Sequence, residues 1–370
     1  MIRTFIENLY TSPSNLCSID EEQYKLIEED ISYFNNESQI YTKLLEKEKS
    51  EELPAFFTTH LKKSYQTQFI QNMLIKNQTH MILSALEDNK LSVIALKGPL
   101  FSEKYYGDFA ARPSSDIDLL IKREDLNDVI TCINKLGYIN EEKNDEDHFH
   151  RTFSKPIPGS PVPLLVEIHW NLLRENTSEL PINQVWDEAI TVSGCEYVKE
   201  LSSFYTFYFI ILHAWRHNLD SMKHFLDIIQ IIHRLGNKID YELLFRIAQN
   251  HKTLKRVKRT LSIVYQQFPH LNDLLKLPFK KEYGSTWQYE VIRGVSVNKS
   301  ISYLDFIDYQ FNSFDTFYHR CIALFEWLFP SEFGLIVEVN NNKKITYTNL
   351  LRQRVFRLFH SAFTKNNITK

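Results

Sequence analysis

Ser115-Asp116-Ile117-Asp118-Leu119-Leu120-Ile121 is the stretch on which the reading of this chain turns. Acidic and apolar residues alternate before an all-apolar end, as in a strand with one face in a core. Residues i and i+2 of a strand share a face, so Asp116 and Asp118 stand side by side while Ile117 and Leu119 point inward. Two such carboxylates repel, and both stay ionised only with a cation between them. Their hard oxygens suit Mg²⁺ or Mn²⁺. Taken alone the pair is a weak signal, because a solvated sheet edge explains it equally well.

The flanking sequence sharpens it. Upstream, the apolar run Leu91–Leu96 predicts a strand that stops at Lys97-Gly98-Pro99. Gly98 suits an N-cap and Pro99 a first helical position, so a helix is expected through Tyr106, closed by Gly107. A helix start of this kind offers free N–H groups and a positive dipole end to phosphates. Downstream, Glu124–Leu136 predicts an amphipathic helix. His148–Lys155 and Pro163–Trp170 then read as a hairpin around a proline-stiffened turn. Its second arm carries Glu167 in a run so apolar that an unpaired charge would be costly. Pairing with an arginine is one solution for Glu167; joining the other two acids is another. Three acids on adjacent strands can hold two divalent ions ~3.5–4 Å apart, as used for in-line phosphoryl transfer. Replacing one of three crowded carboxylates is then expected to relieve repulsion in the metal-free protein.

These segments, from Leu96-Lys97-Gly98-Pro99 through Arg112 and the Asp116–Ile121 strand to Val166-Glu167-Ile168-His169-Trp170, resemble the polymerase-β-like nucleotidyltransferase superfamily, and within it an uncharacterised bacterial nucleotidyltransferase branch. A fainter similarity runs through His213-Ala214-Trp215-Arg216-His217 and Phe225–Ile229. The resemblance implies that Asp116, Asp118 and Glu167 are catalytic and bind the metal ions. It also implies that Gly98 lets an NTP triphosphate approach the backbone. Pro99 stands where the superfamily usually has Gly or Ser, so phosphate grip is expected to shift to Lys97 and Arg112. The implied reaction transfers an NMP from an NTP to a hydroxyl or phosphate acceptor, a small molecule or peptide, with pyrophosphate release. A toxin-like enzyme acting on tRNA and a degenerate nucleotide-binding module are the alternatives.

Composition bounds the rest. The chain has 370 residues and only 9 glycines against 26 Phe, 19 Tyr and 5 Trp, which favours long aromatic-rich helices over a glycine-looped dinucleotide fold. The four cysteines form no CxxC, so no zinc ribbon or disulfide framework is legible. No apolar run approaches ~18 residues and the N-terminus lacks an apolar leader core, so a cytoplasmic protein without a membrane span is expected. Seven cations and no acid after residue 338 leave a formal charge of −10 on the remainder of a chain whose total is −3. That acidic body is a poor generic nucleic-acid binder. The expected fold is α+β: an N-terminal helical region (1–89), a small mixed sheet as catalytic core (90–200), a helical substrate-selecting domain (201–338) and a basic C-terminal helix (339–370). His213 and His217, at i and i+4, face either the cleft or neighbouring helices. Asp227 is expected to pair with Arg234 or to lie on a solvated helix face.

Overall fold

The computed structural model describes residues 1–141, 149–174, 176–279, 283–295 and 299–328. The expected basic C-terminal helix lies outside them.

At the centre is a seven-stranded mixed sheet: β1 (Val93–Ala95), β2 (Asp116–Ile121), β3 (Ile139–Asn140), β4 (His150–Lys155), β5 (Leu164–His169), β6 (Ile190–Thr191) and β7 (Val198–Glu200). Its order is β3-β4-β5-β2-β1-β7-β6, with β2 parallel to β5 and β1 parallel to β7. The hairpin of β4 and β5 is antiparallel, as the sequence implies. The last two strands were not legible beforehand: Val198 is the single buried residue of β7, and both residues of β6 are exposed.

Eleven helices carry most of the packing: α1 (Ile2–Thr11), α2 (Glu21–Tyr33), α3 (Glu37–Glu46), α4 (Ala55–Asp88), α5 (Pro99–Tyr106), α6 (Leu126–Lys135), α7 (Ile182–Asp187), α8 (Ser203–Arg216), α9 (Met222–Leu235), α10 (Tyr241–Asn250) and α11 (Leu254–Gln267). The helical texture expected from residue 204 to about 329 thins after Phe268. Pro269, Pro278, Gly284 and Gly294 break that stretch into two four-residue helices, Leu271–Leu274 and Tyr289–Ile292, before Lys299–Ile307 and Phe317–Leu328 resume.

Strand alternation sorts the sheet into two environments. Ile117, Leu119 and Ile121 of β2, with Val166 and Ile168 of β5, pack against Ile75, Ile82 and Leu86 of α4 and Val129 and Ile133 of α6. Ile94 of β1 and Leu120 of β2 belong to the other core, which joins α1–α3 to α8–α11. Asp116, Asp118, Glu167 and His169 share this second face by the same period of two. The sheet therefore hands its carboxylates to the helical side of the molecule.

Helix α4 also fixes the loop that leads into β2. Asn72, fully buried, donates to the carbonyls of Phe109 and Arg112, and Gln71 donates to that of Ser114. Backbone groups without a strand or helix partner are thereby satisfied by one helix face.

Candidate active site

Gly98 sits at φ 82° and ψ −154°, between β1 and α5. A Cβ there would meet nothing nearer than the Asp116 carbonyl at 4.0 Å, so the requirement for glycine is conformational and not one of space. The turn directs Lys97 across the sheet. Its Nζ lies 2.9 Å from Oδ2 of Asp118 and donates to Nε2 of His213 at 3.1 Å.

The three acids arrive from two neighbouring strands. In the β2–β5 register Asp118 lies directly opposite Glu167. His169, two residues beyond Glu167 on the same face, places Nε2 3.2 Å from Oδ1 of Asp118 and 3.2 Å from Oε2 of Glu167. The donor atoms of Asp118, Glu167 and His169 all fall within 4.8 Å of one another. Glu167 thus takes His169 as its partner, and no arginine among the described residues. Asp116 is half-buried at the mouth, where Ser115 Oγ donates to it at 3.2 Å.

Charge is balanced tightly. Burial works against ionisation of Asp118, but Lys97 and His169 outweigh it and hold the carboxyl well below the usual range. Glu167 is also lowered, first by its hydrogen bond from His169. Burial disfavours the imidazolium of His169, yet its two carboxylate partners win and raise its pKa. Burial and the adjacent Lys97 keep His213 neutral, consistent with Nε2 as an acceptor. Lys97, Asp116, Asp118, Glu167, His169 and His213 line one cavity of about 140 Å³, with Arg216 and His217 of the α8 end at its rim.

Arg112 is 2% exposed, and its Nε donates to both carboxylate oxygens of Asp227 at 2.9 Å. Tyr106 Oη donates to the same carboxylate at 2.9 Å. Asp227 is therefore neither solvated nor paired with Arg234, as the helical wheel suggested. The polar side of α9 faces α5 and the loop before β2, where Gln230 also donates to the Tyr105 carbonyl. The guanidinium expected to grip phosphate has a protein partner, although Asp116 still acts on its charge.

One cation escaped the sequence reading. Lys223, one turn before Asp227 on α9, is half-buried, and its pKa is pushed down to about 8, first by Arg112 and then by burial. Asp227 and Asp116 oppose that shift while Lys97 adds to it. The i,i+4 spacing from Asp227 was the available signal. What it could not reveal is that this helix face turns toward the carboxylates.

A second cavity of about 480 Å³ adjoins the first through Glu167, Leu172, Leu173 and Arg216. Its walls are aromatic and cationic, with Phe149, Trp215, Tyr309, Phe314, Arg174 and Arg256. The guanidinium of Arg256 lies 5.0 Å from the Trp215 ring centre and 5.1 Å from that of Phe314. A larger cavity of about 700 Å³, between α4, α5 and β7, contains none of the carboxylates above.

No helix among the described residues is long and apolar enough to cross a membrane. No curated protein and no solved structure gives a match to the chain. The family model described as uncharacterised nucleotidyltransferase matches residues 38–269, a span that takes in the long helix α4, the whole sheet and helices α8 to α11. With an acid-bearing mixed sheet facing a helical wall, this chain belongs to the uncharacterised nucleotidyltransferase family and is a nucleotidyltransferase enzyme.

Proposed function

We propose that the protein moves an NMP from an NTP to a hydroxyl or phosphate group of an acceptor, with release of pyrophosphate, in a reaction that depends on Mg²⁺ or Mn²⁺. The observation that carries this reading is the approach of Asp118, Glu167 and His169 within 4.8 Å, beside Lys97 and the Gly98 turn. Carboxylate oxygens on adjacent strands fit hard divalent ions, and Asp116, Asp118 and Glu167 would hold them. Bound ions would neutralise the triphosphate and the charge that develops during transfer.

The chain's own groups supply the remaining work. Lys97 is a mobile cation within reach of Asp118, and it can turn its ammonium to a phosphate oxygen once other charge compensates that acid. The first turn of α5 has N–H groups without intrahelical acceptors, and Gly98 allows close approach to them. Lys223, Arg216 and Lys97 give the helical wall a cationic surface suited to a polyphosphate. Glu167 Oε2 accepts the proton of the acceptor hydroxyl, with His169 holding the carboxylate in place. The adjoining aromatic cavity takes the acceptor, with Phe149 and Arg174 of the sheet region and Trp215, Arg256, Tyr309 and Phe314 of residues 201–338 selecting it together. Its arginines favour an acceptor bearing a negative group on a flat or apolar body, a small molecule or peptide more than RNA.

The test is pyrophosphate release from each of the four NTPs with Mg²⁺ over a panel of hydroxyl- and phosphate-bearing acceptors, beside NTP titration calorimetry. Release that disappears in Glu167→Gln supports the reading. NTP binding without release across the panel would instead identify a nucleotide-binding module.

A further inference from the structure

Helix α8 ends and α9 begins around the turn His217-Asn218-Leu219-Asp220-Ser221, and this turn brings a second set of donors together. His224 Nε2 lies 3.1 Å from Oδ1 of Asp220, and His217 Nδ1 lies 3.9 Å from Oδ2. The donor atoms of these three side chains all fall within 4.8 Å of one another. Tetrahedral bonds of ~2.0–2.2 Å put neighbouring donor atoms about 3.3 Å apart, so the His224–Asp220 pair already fits and the His217 ring has to close in by up to about 1.5 Å.

The turn is held from outside. Arg259 Nη1 donates to Asn218 Oδ1 at 2.8 Å, Asn218 Nδ2 donates to Asp305 at 3.0 Å, and Trp287 Nε1 donates to the Asn218 carbonyl at 3.0 Å. Leu219 is fully buried beneath it. Asn218 and Leu219 both take positive φ, 50° and 55°, which is how so short a connection carries Asp220 back over the helix end. A donor set presented by a fixed turn loses little entropy on taking a ligand.

We propose that His217, Asp220 and His224 form a binding site for one transition-metal ion of the Zn²⁺ class. Two imidazoles and one carboxylate suit Zn²⁺, Ni²⁺ or Fe²⁺, whereas the carboxylate-rich cavity beside it suits Mg²⁺ or Mn²⁺. Three protein ligands leave coordination positions open, as in catalytic and not structural zinc sites. His217 also lines the cavity that contains Asp118 and Glu167, so an ion here sits at the rim of the same cleft. On the nucleotidyl-transfer reading it would hold an oxygen of the acceptor or of the triphosphate, but the site itself stands without that reading.

The experiment is calorimetric titration of ZnCl₂ into the full chain after chelator treatment, for wild type, Glu167→Gln, His217→Ala and Asp220→Ala. His217 and Asp220 are exposed, so these substitutions leave the core untouched, and thermal melts verify it. Wild type and Glu167→Gln should each bind one equivalent, with affinity falling at least about 100-fold in His217→Ala and in Asp220→Ala. Co²⁺ in place of Zn²⁺ should give visible absorption bands that the same two variants lack. Unchanged Zn²⁺ affinity in both variants, no saturable binding by wild type, or loss in Glu167→Gln would each overturn the site. None of these readouts depends on pyrophosphate release, so a failed site and a failed function remain distinguishable.

Discussion

At the scale of single residues, the pairing of Asp118 changes the expectation drawn from sequence. Crowded carboxylates alone imply that removing one is harmless or stabilising. Asp118 is instead the buried partner of Lys97 and His169, so Asp118→Asn should lower the melting temperature of the metal-free protein as well as activity. Glu167 is 27% exposed at its side chain and less committed. Glu167→Gln should leave the melt nearly unchanged while turnover falls by orders of magnitude. A lowered melt with activity retained would end the case for Glu167. Asp227 offers a sharper structural test. Asp227→Asn uncovers a buried guanidinium, and denaturant unfolding should show a loss of about 3–5 kcal/mol. A loss of NTP affinity with full stability would instead return Arg112 to the phosphate. Asp116, Asp118, Glu167, Lys97 and Gly98 were legible because strand period and turn chemistry are local. The Arg112–Asp227 pair, 115 positions apart, and the His169 bridge were not, because nothing in a single sequence states which helix face meets which strand.

Among the elements, β1, α5 and β2 act together, and α5 is bounded by two glycines at positive φ, Gly98 and Gly107. Gly98→Ala should cost roughly 1–3 kcal/mol by thermal unfolding, since the penalty is backbone conformation without a clash. The same variant should weaken NTP binding if the backbone of this turn meets the triphosphate. Helix boundaries in this region followed from Gly98, Pro99 and Gly107, which became the N-cap, first position and C-cap of α5. The predicted strand Leu91–Leu96 shortened to Val93–Ala95, and at its start Leu91 N–H closes α4 on the Leu86 carbonyl instead of joining the ladder. Strand β7 and the edge strand β6 beyond it had almost no hydrophobic pattern to betray them. Their place is set by Glu87 of α4, whose carboxylate accepts the N–H groups of Glu196, Tyr197 and Val198. Sequence periodicity reports burial, and a strand held by its backbone gives it nothing to report.

Over the whole molecule, histidine protonation sets the response to acid. Burial lowers His213, His217, His224, His233, His251, His270 and His319, His233 to about 3, whereas His169 is raised by its carboxylate partners. For a lowered histidine the unfolded chain binds the proton first, so stability is full above the unfolded pKa of ~6.5 and declines as pH falls toward the folded value. His169 works in the opposite sense, losing its contribution as pH rises through its raised pKa. Seven against one, the lowered group decides, and melting temperature should drop steadily from about pH 6.5 to pH 4. A flat profile across that window would show that these rings are hydrated.

The core that joins α1–α3 to α8–α11 has a consequence for how the chain is made. Tyr10 donates to Gln230 and Arg3 to Gln267, contacts that span 220 and 264 positions. A ribosome adds about 5–20 residues per second, so the first helix leaves the tunnel roughly 10–50 s before its partners exist. During that interval Phe5 of α1 can rest on Tyr24 of α2 and Phe57 of α4, but Tyr10 and Arg3 lack their partners on α9 and α11. Stalled nascent chains ending near residue 200 should therefore be protease-sensitive in their first fifty residues, and chains carried past residue 300 should be protected there. Vectorial synthesis thus leaves the packing of α1 incomplete until α9 and α11 have been made, and open to chaperones while it waits.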